Sequence, residues 1–288
     1  MFPTSQRGKI LMLTTTIDGL WVLQVLSGIE VLAPELGLRP HLPSAETAAA
    51  ALNHPAAQEL RQAGVIDVGG DVDAVIAEWL TVIARRDVAL FLQVQTSGQS
   101  MELDQVLLAR FAQWWVALER HGDMVRLSSA GTATSEQSAG VVIRHQIERL
   151  VGSLIAAEVR PATLDTVQLI SDVRERRDLG RALRRQGLCD EQVRTVVAAC
   201  DSASSTQMSI VAIQSGVEQR TARTHIESGA VTVIDSAAGR LMVEHTTGHG
   251  RSWMIVAPGS ASQIASAVQA MLRRLPAQTD WHSYRKAV

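Results

Sequence analysis

The same order of predicted elements occurs twice along the chain, and this repetition constrains the fold more than any other feature. Leu60–Asp67 (Leu-Arg-Gln-Ala-Gly-Val-Ile-Asp) parallels Leu183–Asp190 (Leu-Arg-Arg-Gln-Gly-Leu-Cys-Asp). In each half, this segment is followed by a helix, a strand, a long polar loop, a strand meander and a final helix. We therefore expect two quasi-equivalent halves, about 12–155 and 156–288, within a single unit.

The first half combines an amphipathic helix with strands. Residues Asp71–Arg86 predict a helix because apolar side chains recur at helical spacing. Val88–Val94 predicts a strand, with Ala89, Phe91 and Gln93 on the face opposite to its valines and leucines. These elements are followed by a polar loop (Thr96–Gln105), two hairpin strands (Arg110–Glu119 and Met124–Ser128) and a helix (Ala139–Leu154).

The second half repeats these elements in the same order. They are a helix (Glu191–Ala199), a strand (Gln207–Gln214), a polar loop (Ser215–Gly229), three strands (Ala230–Asp235, Arg240–Thr246 and Ser252–Ala257) and a helix (Ala261–Leu275). A meander is antiparallel, and strands this apolar require helices on at least one face of their sheet. We predict an α+β fold with a central antiparallel sheet flanked by helical bundles.

The N-terminus and the cysteines bear on localisation. Residues 1–11 are predicted to be a disordered extension of a unit that spans residues 12–288. The apolar stretch Ile10–Leu13 is too short for a signal peptide, and no membrane insertion is expected. The only cysteines, Cys189 and Cys200, are predicted to be buried thiols in a reducing cytoplasm.

The sequence contains no recognisable catalytic or cofactor motif. A nucleophile elbow, a glycine-lysine phosphate loop and a dinucleotide fingerprint are all absent. His245 and His249 flank a predicted hairpin turn rather than one helix face, so we expect no zinc site. With a net charge of −2, the chain lacks the excess of basic residues that is typical of nucleic-acid-binding proteins. We predict a binding protein with no catalytic residue, metal or cofactor. A hydrolase or other enzyme and a self-assembling scaffold are the alternatives.

Several short motifs of this sequence occur together in one known family. They are Thr16–Gln24, Pro34–Pro40, Val233–Arg240, Trp253, Ala257–Ser260, Leu275–Pro276 and Trp281. Together they resemble the EspG family, the cytosolic chaperones of mycobacterial type VII (ESX) secretion, over the chain from Met12 onward. The paralogue of the second ESX locus is the most similar, through Glu78–Val82, Trp114–Trp115, Leu118–Gly122 and Trp281–Arg285.

The resemblance implies a function without catalysis. EspG proteins bind the tip of the PPE subunit of a PE–PPE heterodimer, keep it soluble and direct it to a type VII secretion system. An apolar tip left exposed in the cytosol would self-associate, and a standard interface of about 800 Å² per partner would cover it. For this chain the resemblance therefore implies an EspG-like unit with a PE–PPE heterodimer as partner, and a homodimer remains open.

The resemblance also implies that the two polar loops carry the partner contacts. Met101 and Leu103 are the expected apolar anchors, and Arg220, Arg223 and His225 are expected at the polar rim. The complete set of expected partner-binding residues is Thr96, Ser97, Gln99, Met101, Leu103, Arg220, Arg223 and His225.

Overall fold

A computed structural model places one large antiparallel sheet at the centre of the molecule. The structure describes residues 12–97, 103–152, 154–176, 178–216, 224–248 and 250–286. Within these residues the sheet has eleven strands. They are β1 (Met12–Thr16), β2 (Val88–Gln95), β3 (Asp104–Phe111), β4 (Trp114–His121), β5 (Met124–Thr132), β6 (Ala162–Asp165), β7 (Thr206–Ser215), β8 (Thr224–Ile226), β9 (Ala230–Ser236), β10 (Gly239–Gly248) and β11 (Arg251–Pro258).

The strand order is symmetric about the central pair β2–β7. The order is β1-β5-β4-β3-β2-β7-β9-β10-β11-β6, and β8 pairs with β7 beyond the start of β9. Each half therefore has one central strand, then its three meander strands, and finally its earliest strand at the edge of the sheet. The central register runs from Val88 opposite Gln214 to Gln95 opposite Gln207.

Helices cover both faces of the sheet. They are α1 (Ile17–Leu26), α2 (Ala48–Leu52), α3 (Pro55–Gln62), α4 (Ala74–Arg85), α5 (Glu136–Val151), α6 (Thr166–Arg176), α7 (Leu179–Arg185), α8 (Asp190–Ala199) and α9 (Ala261–Leu272), with short 3-10 turns at Pro34–Leu36 and Gln278–His282. Side-chain caps begin several of them, including Asp73 before α4 and Ser260 before α9.

The short repeated segment occupies the same structural position in both halves. Gly64 follows α3 with φ 70°, and Gly187 follows α7 with φ 89°. After each glycine, the next backbone N–H donates to the carbonyl of the leucine that opens the repeat, Leu60 or Leu183. Glycine is favoured here because L-residues rarely adopt this left-handed conformation. The repeat is thus a helix C-cap used twice.

One face of the sheet is covered by one helix from each half. Apolar side chains of α5 and α9, such as Ile143 and Val268, pack on Leu90 of β2 and Ile210 of β7 in a shared core. Trp281, after α9, is fully buried in the same core. Each such side chain contributes about 1.5–3 kcal/mol when fully buried, so this core joins the two halves.

The opposite face carries two separate groups of helices. Helices α1 and α4 pack on strands of the first half, and α2 and α3 pack on α1. Ile76 and Leu80 of α4 contribute to the core around Leu107 and Leu118. Helix α6 packs on β11, α8 packs on β9 and α7 packs on both helices, in a core that includes Leu183 and Ile234. These two groups leave the central strands β2 and β7 between them.

Two buried arginines, one from each half, donate hydrogen bonds to backbone carbonyls of the other half. Arg110 on β3 donates to the carbonyl oxygens of His282 (2.9 Å) and Tyr284 (2.6 Å), beyond α9. Arg240 on β10 donates to the carbonyl oxygens of Val151 (2.7 Å) and Gly152 (3.1 Å), at the end of α5. Each half thus supplies the guanidinium that satisfies backbone acceptors of the other.

The structure confirms the predicted α+β class and corrects several element bounds. The predicted strand Arg110–Glu119 is wrong, since the chain turns at Ala112 between β3 and β4. Ala112 has φ 56°, and its N–H and carbonyl are held by Asp87 and Arg110. This turn contains no glycine, proline or asparagine, so the sequence carries no turn signal there.

Further corrections concern short elements and the cysteines. Edge strands β1 and β6 were not expected, β8 lies inside the predicted loop Ser215–Gly229, and β3 begins at Asp104, inside the predicted loop Thr96–Gln105. Both cysteines are exposed rather than buried, because Cys189 and Cys200 are the residues that flank α8 at its two surface ends. The predicted extension, residues 1–11, lies outside the described residues.

Candidate partner-binding surface

The first predicted loop leaves the sheet at one end of the central strand pair. Thr96 and Ser97 follow β2 and are half-buried. The backbone N–H of Ser97 donates to the hydroxyl of Thr206 at 3.4 Å, which joins the end of β2 to the start of β7. Leu103, just before β3, is 38% exposed. An exposed leucine close to an anchored polar segment is a suitable partner contact.

The second predicted loop leaves the sheet at the other end of the same pair. His225 is half-buried in β8, opposite Gln214 of β7. Gln99, Met101, Arg220 and Arg223 lie outside the described residues.

The register therefore separates the two groups of predicted contact residues. Gln95 faces Gln207 at the end that carries Thr96, and Val88 faces Gln214 at the end that carries His225. Seven strand steps correspond to about 23 Å. A partner that contacts both loops must extend along the whole central pair.

A strip of partly exposed side chains runs along the central pair, on the face that carries the two helix groups. Its floor consists of cross-strand neighbours, Phe91 opposite Val211 and Gln93 opposite Ser209. These four side chains are half-buried, whereas alternate residues of both strands, Leu90, Leu92, Ile210 and Ala212, are buried in the core with α5 and α9. We call this strip the central groove. Its side chains offer amide, hydroxyl and apolar contacts to a partner.

Among the described residues, the central groove is closed at one end and open at the other. Toward His225, the floor residues Ala89 and Ile213 are buried in the core beneath α1–α4. Toward Thr96, Gln95 is exposed and Gln207 is half-buried. The accessible part of the groove is therefore the end that carries Thr96, Ser97 and Leu103.

Helix α8 ends beside this open end. The hydroxyl of Ser205, directly before β7, donates to the carbonyl of Ala198 in α8 at 3.3 Å. Val197 of α8 is 42% exposed. We call Thr96, Ser97, Leu103, the central groove and the end of α8 the docking surface. It brings the first predicted loop together with a helix of the second half.

The sequence gives only a weak signal for the groove floor. Gln93 and Ser209 are polar residues with apolar neighbours on both sides in β2 and β7, and this polarity is the available signal. A polar residue in a strand indicates only partial solvent contact. Whether helices cover that position depends on tertiary packing, which the strand pattern does not contain.

The described residues show no arrangement suited to a metal. Among them, no group of three or more His, Cys, Asp or Glu side chains comes together as a metal site. Burial lowers the pKa of His245, and His249 lies outside the described residues. Within the same residues, none of the helices is both long and apolar enough to span a membrane.

Comparisons with known proteins identify the family. The model of the EspG family matches residues 16–270. The chain is 45% identical over 278 residues to the ESX-2 secretion-associated protein EspG2 of Mycobacterium tuberculosis strain H37Rv, covering 96% of this chain and 100% of the relative. It is 24% identical over 300 residues to the ESX-5 secretion-associated protein EspG5 of Mycobacterium marinum, covering 95% and 97% respectively.

A solved structure shows the same fold. The Mycobacterium tuberculosis type VII secretion system chaperone EspG5, solved in complex with the PE25–PPE41 dimer, matches with a TM-score of 0.76 at 20% identity. The match covers 95% of this chain and 99% of that chain. These matches confirm the expected family and the expected similarity to its second-locus paralogue. The chain belongs to the EspG family.

Proposed function

We propose that this protein is a cytoplasmic chaperone that binds the PPE tip of a PE–PPE heterodimer, keeps it soluble and directs it to a type VII secretion system. The family assignment supports this function, and EspG5 of the same fold was solved with a PE–PPE dimer. The proposed activity is binding alone, with no catalytic step.

The open end of the central groove carries the proposal for where the client binds. Ala89 and Ile213 are buried at the closed end, so a client helix tip can reach the floor only from the side of Thr96. Leu103 and Val197 are exposed apolar residues at this end, and Gln93 and Ser209 are polar residues of the floor. Such a mixture can bind an apolar tip and still release it.

Because the strand order is symmetric, other contacts must decide which end of the central strand pair binds the client. Both loops leave the central strand pair, and the strand order alone would make their two ends equivalent. Within the part of the chain that the structure describes, only the N-terminal half covers its side of the groove, through the core beneath α1–α4 that includes Ala89 and Ile213. We infer that the client contacts the Thr96 end and that His225 lies outside the primary interface.

Co-expression with a PE–PPE pair from the same locus tests the proposal. We expect co-elution of all three chains in size-exclusion chromatography and no complex with PE alone. Ser209→Arg and Leu103→Asp should each weaken the complex at least tenfold, about 1.4 kcal/mol, because they place charge in the interface.

Ile226→Arg at the opposite end is the matched control. Ile226 is 60% exposed in β8, so an arginine there leaves the fold intact. We expect unchanged affinity. If Ile226→Arg abolishes binding while Ser209→Arg does not, the proposed end is wrong. If no PE–PPE pair co-elutes with the wild-type chain, the proposed function is wrong.

A further inference from the structure

Four of the ten aromatic residues of the chain line one cavity. They are Trp79, Phe111, Trp114 and Trp115, and the cavity lies between α4 and the turn that joins β3 to β4. Its volume is about 570 Å³, within the range of about 300–1,000 Å³ that is typical of ligand sites. We call it the aromatic cavity. This concentration is notable because aromatics are only 3% of the sequence.

Trp114 is the aromatic residue of the cavity that is most accessible. Trp114 is 50% exposed and lies directly opposite Phe111 across the turn, so both side chains are on the same face of the sheet. Trp79 and Val82 of α4 form the buried side of the wall. A half-exposed tryptophan on a rigid strand is the residue type most often found as a binding anchor.

The polar groups that α4 contributes to the cavity are hydrogen-bond acceptors. Glu78 is exposed, and no ion pair of the described residues involves it. The Thr81 hydroxyl donates to the carbonyl of Ala77 at 2.8 Å, which leaves only its lone pairs for a ligand. A carboxylate and a hydroxyl oxygen beside an indole favour a cationic donor.

A cation already contacts this aromatic cluster. The guanidinium carbon of Arg285 lies 4.4 Å from the ring centroid of Phe111. Arg285 also pairs with Asp87, with nitrogen and oxygen 3.5 Å apart, and Arg110 approaches the same carboxylate to 3.9 Å. Arg85, the basic residue of α4, is seven residues beyond Glu78, about 10 Å along the helix axis, so Glu78 is the charged side chain that α4 contributes to the cavity lining. Trp114 and Glu78 together offer a second place where a cation can contact an aromatic ring and pair with a carboxylate.

We propose that the aromatic cavity binds an arginine or lysine side chain of a partner protein. Its aliphatic stem lies along Trp114, and its charged head is paired with Glu78. The cavity is at the Phe111 end of β3, whereas the docking surface is at the Asp104 end, about 23 Å away along the strand. This second surface is therefore independent of the proposed client site, and both can be occupied together.

A peptide titration of the full chain tests the proposal. The probe is acetyl-Ala-Leu-Arg-Leu-Ala-amide, followed by NMR of the indole N–H signals up to about 10 mM, with its neutral citrulline analogue as a matched ligand. We expect the Trp114 signal to shift with the arginine peptide. The citrulline peptide should bind at least threefold more weakly, the factor that corresponds to a cation–π contact of about 0.5–1 kcal/mol.

Variants identify the residues. Glu78→Gln and Trp114→Ala should each weaken the arginine peptide at least threefold, and Glu78→Gln is expected to fold normally because Glu78 is exposed. Trp253→Ala is the control, since Trp253 is a half-buried indole whose nearby cation, Arg251, lies 6.0 Å from its ring. Equal binding of the citrulline peptide, unchanged binding by Glu78→Gln, or no shift of Trp114 by 10 mM peptide would each overturn the proposal.

Discussion

Replacing Arg240 by leucine removes a buried cross-link between the halves. Arg240 is 3% exposed and donates to both carboxylate oxygens of Asp235, at 2.6 and 2.8 Å. It also satisfies the last carbonyls of α5, those of Val151 and Gly152. The leucine variant leaves one carboxylate and two carbonyl groups without this donor.

The expected loss follows from these contacts. Breaking a buried ion pair costs about 3–5 kcal/mol, and Asp235 is 20% exposed, so water recovers part of this energy. We expect a loss of about 2–4 kcal/mol in the free energy of unfolding. For a chain of this length the unfolding entropy is about 0.6 kcal/mol/K, so a loss of 3 kcal/mol lowers Tm by about 5 °C.

Chemical denaturation and calorimetry measure this loss directly. Arg251→Ala is the control, because Arg251 is an exposed arginine of the neighbouring strand and should cost below about 0.5 kcal/mol. A double-mutant cycle with Asp235→Ala should give a coupling of about 1.5–3 kcal/mol. A loss smaller than about 1 kcal/mol for Arg240→Leu would refute the reasoning that Arg240 stabilises the fold through these buried contacts.

Three further variants or treatments test other parts of the structure. The Arg273 guanidinium holds the pKa of Glu136 below its ordinary value of 4.5, so the stability that Glu136 contributes is present above that pH and lost as the pH falls through the lowered pKa. The difference in unfolding free energy between wild type and Glu136→Gln should therefore shrink in denaturation curves below pH 4.5. Gly239→Ala should lower the unfolding free energy by at least about 2 kcal/mol, because φ is +100° and the added Cβ would lie 2.9 Å from a backbone atom. In the native protein both Cys189 and Cys200 should react with a thiol reagent, Cys200 more slowly because desolvation raises its pKa; a protected thiol would contradict the exposed ends of α8.

The sequence predicts the strongly periodic elements well. The helix expected over Asp71–Arg86 is observed as α4 (Ala74–Arg85), and the helix expected over Ala261–Leu275 is observed as α9 (Ala261–Leu272), with a capping box at Ser260. Both depend on contacts within a few residues, which the sequence displays directly. The turn at Ala112 depends instead on hydrogen bonds from distant residues, so no local pattern reveals it.

The candidate site was predictable only in part. The loop that begins at Thr96 was expected from its polarity, and it does border the docking surface. The separation of this loop from His225 follows from the antiparallel register of β2 and β7, which the sequence does not specify. The closure of one groove end likewise follows from where helices of the first half pack over Ala89 and Ile213.

The contacts of Arg110 set an order of events during protein synthesis. Its guanidinium, on β3, finds two of its carbonyl acceptors only at His282 and Tyr284, more than 170 residues later. Asp87 likewise accepts from the backbone of Lys286 at 3.0 Å. During synthesis, Arg110 and Asp87 therefore lack these hydrogen-bond partners until residues 282–286 have been added. This part of the first half can reach its native hydrogen bonding only after translation has passed residue 286.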